Sequence, residues 1–339
     1  MKLISIITPC LNEEENVKII YEKIKSFFSN KKNYSYEHIF IDNKSEDNTR
    51  KILREISNED KNVKIIFNTR NYGQWASPFY ALQQSNGDAA VLLVADLQDP
   101  PELLNEFLKF WEQGYKTVVG IKNNTEGSKL SYYFRKIFYK LINKFSKIEL
   151  FENFMGFGLY DRKVINILKK FNEPEPYLRG IIADINLKVK KIHYTHQQRT
   201  VGKTKNSIIS LVDLALVAFT AYSKFPLRII SIFAFMFSFI SLLIGLVYTI
   251  YKLLYWDTFA TGIAPLILIL SVFFSLTFIF LGIIAEYINS INTRFSARPL
   301  VVEEERINFE SSRNIVKHFQ INTYDRISLI FPFLDSGKP

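Results

Sequence analysis

One cysteine, Cys10, in 339 residues excludes an intramolecular disulfide and a cysteine-rich metal centre. The four histidines, His38, His193, His196 and His318, show no metal-ligand spacing and read as structural or surface residues. There is no P-loop, no Gly-x-Ser-x-Gly and no dinucleotide fingerprint. Charge is missing in two places: Ile229 to Tyr251 and Thr258 to Ala285 contain no Asp, Glu, Lys or Arg. A bilayer core is crossed by roughly 20 apolar residues in a helix, so both runs are long enough to span with some tilt. Their length and adjacency disfavour the alternative of two buried core helices.

Basic residues flank these runs. Lys224 and Arg228 precede the first and Arg294 and Arg298 follow the second, while the connector carries only Lys252 and Asp257. The positive-inside rule then predicts a hairpin with both long ends cytoplasmic. The opening "MKLISIITPCLNEEEN" turns acidic after a very short apolar stretch, unlike a signal peptide. An excess of 43 Lys and Arg over 33 Asp and Glu suits anionic partners such as headgroups and phosphates. No nucleic-acid module appears, so nucleic acid is not among the expected partners.

Up to about Lys122, strand-type runs alternate with helix-type ones. "LISIIT", "HIFI", "VKIIF", "AAVLLVA" and "TVVGI" read as strands, and Val17, Ile20, Tyr21, Ile24, Phe27 and Phe28 mark one face of a helix. Such alternation predicts an α/β layer with a mainly parallel sheet. Polar segments follow the strands: "TPCLNEEEN", "DNKSEDNT", "NTRNYGQ" and "DLQDPPE". In open α/β sheets the ligand crevice lies at the carboxyl ends of strands, so these four segments should converge on one site.

Several acids there have a simple explanation as helix caps. Asn12 with Glu15 makes a capping pattern, Asp99 with Glu102 makes another around Pro100 and Pro101, and Ser45 or Asp47 can cap the next helix. Asp96 is different, since it ends an apolar strand where an unpartnered carboxylate is expensive. A divalent cation bridging a diphosphate is its natural partner, with the Gln98 carbonyl as a second oxygen ligand. Asp42 ends another strand and can accept from a ribose hydroxyl or a base imide. Arg70 and Asn71, before Gly73, admit two readings: an ordinary loop, or a diphosphate contact. "QQRTVGKTK" gathers Arg199, Lys203 and Lys205 shortly before the apolar part, suiting a headgroup or a lipid phosphate. Arg135 lies on a second amphipathic stretch, "SYYFRKIFYKLINKF".

Taken together, "TPCLNEEEN", the Asp42 segment, "RNYGQ", "ADLQDPPE", the Arg199 to Lys205 cluster, the hairpin and "GIIAEYINSINTRFSARPL" resemble a family-2 glycosyltransferase of GT-A fold. The resemblance is closest to the polyprenyl-phosphate branch, with its dolichol-phosphate mannose synthases and bactoprenol glucosyltransferases, and spans about Met1 to Val302. It implies a Rossmann-like cytoplasmic GT-A domain over 1–205; the next stretch, 206–226, apolar but broken by Asp213 and Lys224, reads as an interfacial amphipathic helix, with a plain linker helix as the alternative. A transmembrane hairpin over 227–289 follows, with helices at about 227–251 and 261–288, then a cytoplasmic tail over 290–339. The implied enzyme sits in the inner membrane, uses Mg²⁺ or Mn²⁺, and forms a homo-oligomer, tetramers being known in the family. It would move one sugar from a nucleotide diphosphate sugar, a uridine nucleotide by resemblance, to polyprenyl (undecaprenyl) phosphate for cell-surface glycan modification.

Carried onto this chain, the resemblance implies nucleotide contacts at Pro9, Leu11, Glu13, Asp42, Asn71 and Gln74. Asp96 and Gln98 would hold the metal, and Arg135, Arg199, Lys203 and Lys205 the phosphates, with Asp96, Arg135, Arg199 and Lys205 serving catalysis. Three positions depart from the pattern. Val94 replaces the first acid of a D-x-D element and Asn43 a second Asp, both on the nucleotide side. "GFGLYD", from Gly156 to Asp161, replaces an Asp-Phe-Arg-Leu stretch. Two competing readings are a processive polysaccharide synthase, which lacks its Gln-x-x-Arg-Trp element here, and a non-catalytic membrane scaffold.

Overall fold

The computed structural model describes residues 1–123, 150–171, 173, 176–195, scattered helical positions from 232 to 255, 263–295 and 299–309. Arg135, Arg199, Lys203, Lys205 and the expected interfacial helix lie outside them. The elements are β1 (Lys2–Cys10), α1 (Val17–Ser29), β2 (Tyr34–Asp42), α2 (Thr49–Glu59), β3 (Val63–Asn68), α3 (Gly73–Gln84) and β4 (Ala89–Leu92). After a 3₁₀ turn at Pro101–Leu103 come α4 (Leu104–Glu112), β5 (Thr117–Lys122), β6 (Phe154–Asp161), α5 (Arg162–Leu168), α6 (Leu178–Ile185), β7 (Val189–Tyr194), α7 (Ile263–Phe295) and β8 (Glu303–Ile307).

All eight strands form one sheet in the order β7-β5-β6-β4-β1-β2-β3-β8. Its centre, β4-β1-β2-β3, is wholly parallel. The expected α/β layer is present, with β6 inserted antiparallel between β4 and β5, and β8 antiparallel on β3. Alternation along the strands sends Ile4, Ile6, Phe40, Ile65 and Phe67 to one apolar layer, beneath α1, α2 and α4. Ile7, Ile39, Ile41 and Ile66 go to the opposite layer, with α3, α5 and α6. Helix α1 buries Val17, Ile20, Tyr21, Ile24 and Phe28 of its predicted face, each worth roughly 1.5–3 kcal/mol on full burial; Phe27 packs at the margin.

Several local expectations change. Strand β4 stops at Leu92, although the Leu93 N–H still reaches the Ile7 carbonyl at 2.9 Å. Val94 is therefore half-buried in a loop rather than part of a strand. Neither capping pattern operates: α1 begins after Asn16 and the 3₁₀ turn after Pro100, both without a side-chain cap. Asn12 adopts a left-handed backbone (φ 55°), and its Oδ1 accepts from the Glu46 N–H at 2.8 Å. For α2 the expectation is half met, since Asp47 accepts from the Thr49 N–H at 2.9 Å while Ser45 bonds Asp42 instead.

Of the two apolar runs, the second forms the backbone of the 33-residue α7. Taking the described residues alone, no helix is long and apolar enough to cross a membrane.

Candidate active site

The parallel strand order reverses between β1 and β4, and it is at the carboxyl ends beside such a reversal that open α/β sheets bind their ligands. Cys10, the last residue of β1, pairs with Asp42, the last of β2, and Pro9 pairs with Ile41. Pro9 and Leu11 are half-buried on either side of the buried Cys10. Burial, and then the charges of Asp42, Glu13 and Asp47, push the Cys10 thiol well up, which keeps it protonated and unsuited as a nucleophile.

Asp42 is fully buried. Desolvation raises its pKa, opposed by hydrogen bonds from the Ser45 hydroxyl and N–H and by the Arg50 charge. Arg50 Nε stands 3.5 Å from Asp42 Oδ2. The loops after β1 and β2 are laced together. The Asn12 N–H donates to Ser45 Oγ at 2.8 Å, the Glu13 N–H to Thr49 Oγ1 at 2.8 Å, and the Asn48 N–H to Glu14 Oε2 at 2.9 Å. Glu13 itself accepts from Asn16 Nδ2 at 2.7 Å. These bonds fix both loop backbones, so the groups facing the crevice need no ordering when a ligand binds.

Asn43 is engaged by the loop leading into α3. Its Oδ1 accepts from Asn68 Nδ2 at 2.9 Å, the Tyr72 N–H at 3.3 Å and the Ser77 hydroxyl, and its Nδ2 donates to the Gly73 carbonyl at 3.1 Å. The missing carboxylate is thus replaced by a four-bonded clamp on the loop leading into α3. Gly73 needs its glycine, having φ 83°. Asn71 and Gln74 are exposed on this loop and the first turn of α3, with Asn71 Oδ1 accepting from the Gly73 N–H at 2.7 Å. Arg70 stacks its guanidinium 4.0 Å over the Tyr72 ring.

On the other side of β1, the loop after β4 carries Asp96 and Gln98, both half-exposed. Asp96 Oδ1 accepts from the Gln98 N–H at 3.2 Å across a turn whose central residue, Leu97, is left-handed at φ 58°. That conformation costs a leucine roughly 1–2 kcal/mol, a strain of the kind that collects at functional sites. Among the described residues no group of three His, Cys, Asp or Glu could hold a metal unaided. Asp96 with the Gln98 carbonyl is a two-oxygen set, which fits a hard cation that completes its shell with phosphate oxygens and water.

Sequence reasoning missed other groups here. Arg179, in the first turn of α6, lies 4.9 Å over the Trp75 ring, and its buried Nε has no hydrogen-bond partner. Tyr194 of β7 donates to the buried Asp99, and Arg50 links Asp42 to Glu304. Apart from Arg50 with Asp42, each pairing joins residues far apart in sequence. "GFGLYD" is strand β6: Gly156 has φ 102°, and a Cβ on Gly158 would stand 2.6 Å from the Val118 carbonyl oxygen. On this backbone an arginine at 158 has no room.

Residues 5–168 match the family described as glycosyl transferase family 2. An uncharacterised glycosyltransferase of Bacillus subtilis is 31% identical over 313 residues, covering 91% of this chain and 95% of its own length. A prophage bactoprenol glucosyl transferase homologue of Escherichia coli is 31% identical, with 87% and 96% covered. The bactoprenol glucosyl transferase of Shigella phage SfV is 29% identical, with 89% and 99% covered. Among solved structures, glucosyl-3-phosphoglycerate synthase from Mycobacterium tuberculosis, in complex with Mn²⁺, uridine diphosphate and phosphoglyceric acid, superposes with a TM-score of 0.46 at 15% identity. The match covers 65% of this chain and 76% of that one.

Proposed function

The chain belongs to glycosyl transferase family 2, and we propose that this glycosyltransferase moves one sugar from a uridine diphosphate sugar to a polyprenyl phosphate at the cytoplasmic face of a membrane. The observation that carries this reading is the pair of aspartates flanking β1 at the switch point: Asp42 buried and braced, Asp96 half-exposed on a strained turn. Relatives named as bactoprenol glucosyl transferases match over nearly their whole length, so the likeness includes the apolar runs.

In this mechanism Asp42 and Glu13 orient the nucleoside, and Asn71 and Gln74 stand beside the diphosphate. A bound Mg²⁺ or Mn²⁺, held by Asp96 and the Gln98 carbonyl, would offset the charge of the leaving diphosphate. The acceptor's phosphate oxygen is already anionic near neutral pH, its second pKa being about 6, so no strong general base is required. That suits the described histidines, His38 in the core and His193 exposed. Arg135, Arg199, Lys203 and Lys205 hold the acceptor phosphate against an anionic donor that would otherwise repel it. Catalysis is then positioning and charge compensation.

Support for the bilayer comes from the two charge-free runs and from exposed apolar side chains along them. Ile232, Met236, Phe239, Leu243, Leu246 and Ile250 are exposed at alternating spacings of four and three, as are Leu266, Leu270 and Phe273 in α7. A panel of nucleotide sugars incubated with undecaprenyl phosphate, with mass spectrometry of the lipid fraction, tests the reaction. A single-sugar polyprenyl phosphate is expected. Products longer than one sugar would favour a processive synthase, and absence of nucleotide-sugar binding would favour a scaffold.

A further inference from the structure

Arg50, in the first turn of α2, stands between two carboxylates. Its Nε lies 3.5 Å from the buried Asp42, its Nη2 is 3.0 Å from Glu304 Oε2, and its guanidinium lies 4.5 Å over the Phe67 ring. The Nε makes no hydrogen bond, so the contact with Asp42 is one of charge alone, and the arginine is held mainly by Glu304 and Phe67. Glu304 also takes Lys44 at 2.8 Å, and Lys44 sits two residues past Asp42 with a left-handed backbone (φ 67°). Glu304 therefore binds both Lys44 and the arginine beside the buried carboxylate, although it lies 254 residues from Arg50 and follows the second apolar run.

We propose that Glu304 is a positioning residue for the donor site: by holding Arg50 against Asp42 and drawing Lys44 aside, the strand that follows the apolar hairpin completes the nucleotide-binding end of the sheet. This rests on the reading of Asp42 as a donor contact. A buried carboxylate favours its neutral form unless donors and cations offset the burial; Arg50 adds its charge to the two Ser45 bonds, so holding it in place strengthens Asp42 as an acceptor for a ribose or base donor. The neighbouring Glu305 supplies an internal comparison. It pairs with Arg54 through two bonds, at 2.7 and 2.5 Å. Both glutamates tie β8 to α2, but Glu304 bonds the arginine beside the site directly, whereas Glu305 reaches it only through its charge.

The test measures uridine diphosphate affinity by calorimetry, and donor KM and kcat, on full-length protein in detergent with undecaprenyl phosphate as acceptor. For Glu304→Gln a five- to tenfold weaker affinity and a matching rise in donor KM are expected, with kcat within twofold. Glu305→Gln, which removes an ion pair from the same strand, is expected to keep donor affinity within twofold. Equal loss in both variants would mean that β8 acts only by docking, and unchanged affinity in Glu304→Gln would remove its role; either result overturns the proposal. A wild-type protein that binds none of a panel of nucleoside diphosphates would instead overturn the donor-site reading itself, and this role with it.

Discussion

The phenol of Tyr194, on the edge strand β7, donates a hydrogen bond to the carboxylate of Asp99, 95 residues earlier in the loop after β4. Burial pushes Asp99 up to about 6, against the pull of that bond and of the Lys122 charge. Its unfolded value is about 3.9, so the folded state binds the extra proton between those values and ionised Asp99 costs stability at neutral pH. Asp99→Asn keeps a carbonyl for Tyr194 and should melt higher than wild type at pH 7.5, by about 3 °C. The gap should narrow as the pH falls from 6 towards 4, which differential scanning fluorimetry across that range measures.

Asp96 is half-exposed and its loop already carries a strained turn, so its removal should leave the fold intact. Asp96→Ala is expected to lower acceptor-dependent release of nucleoside diphosphate by about 100-fold or more. Chelation of wild type should do the same, reversed by added Mg²⁺ or Mn²⁺. Full turnover of the variant in a chelator-stripped preparation would place the metal elsewhere.

His38 is buried, with Nε2 2.9 Å from Thr8 Oγ1, and burial lowers its pKa to about 3. The unfolded value is near 6.5, so the unfolded chain takes up the proton first. The stability this group contributes is complete above about 6.5 and declines as pH falls towards 3. His38→Phe, which keeps a ring against Phe40, should show a flatter loss of stability over that window in urea titrations. An identical slope in both proteins would show that other groups govern the acid limb.

Asn43→Asp converts the clamp on the α3 loop into a repulsion, because the Nδ2 that donates to the Gly73 carbonyl becomes an oxygen. A cost of about 1–3 kcal/mol in chemical denaturation is expected, together with a raised donor KM. A variant as stable as wild type would mean that Asn68, Ser77 and Tyr72 hold the loop without it.

The five strands read from the sequence exist because long β-branched runs have few other places to go, and α1 follows from its apolar period. Strands β6 and β8 escaped notice for opposite reasons. "FMGFGLYD" looks like a loop for its glycines, yet at Gly158 the close approach of Val118 demands one. "EEERI" looks like solvated tail, yet its acids meet the arginines of α2. Asp42 was legible because it stands where β2 stops, and Asp96 because it follows an apolar run, although β4 ends at Leu92 and leaves Asp96 in the loop beyond it rather than at a strand end. Asp99 and Asn12 were misassigned because a capping pattern is local, whereas their oxygens were claimed by Tyr194 and Glu46 from elsewhere in the chain. Arg179 carried no signal, since only folding brings it over Trp75.

The pairing of β8 with β3 has a mechanical side. From Phe295, the last residue of α7, to Glu303, the first of β8, there are eight Cα-to-Cα steps, a reach of about 29 Å when fully stretched. With α7 seated in a bilayer as proposed, the sheet is moored by a short line at its outer edge as well as by the chain entering the first run. Its standoff from the lipid surface is then set by the length of that line. A spacer spliced between Phe295 and Glu303 would lower the effective concentration of acceptor phosphate at the crevice without altering a single residue that touches substrate.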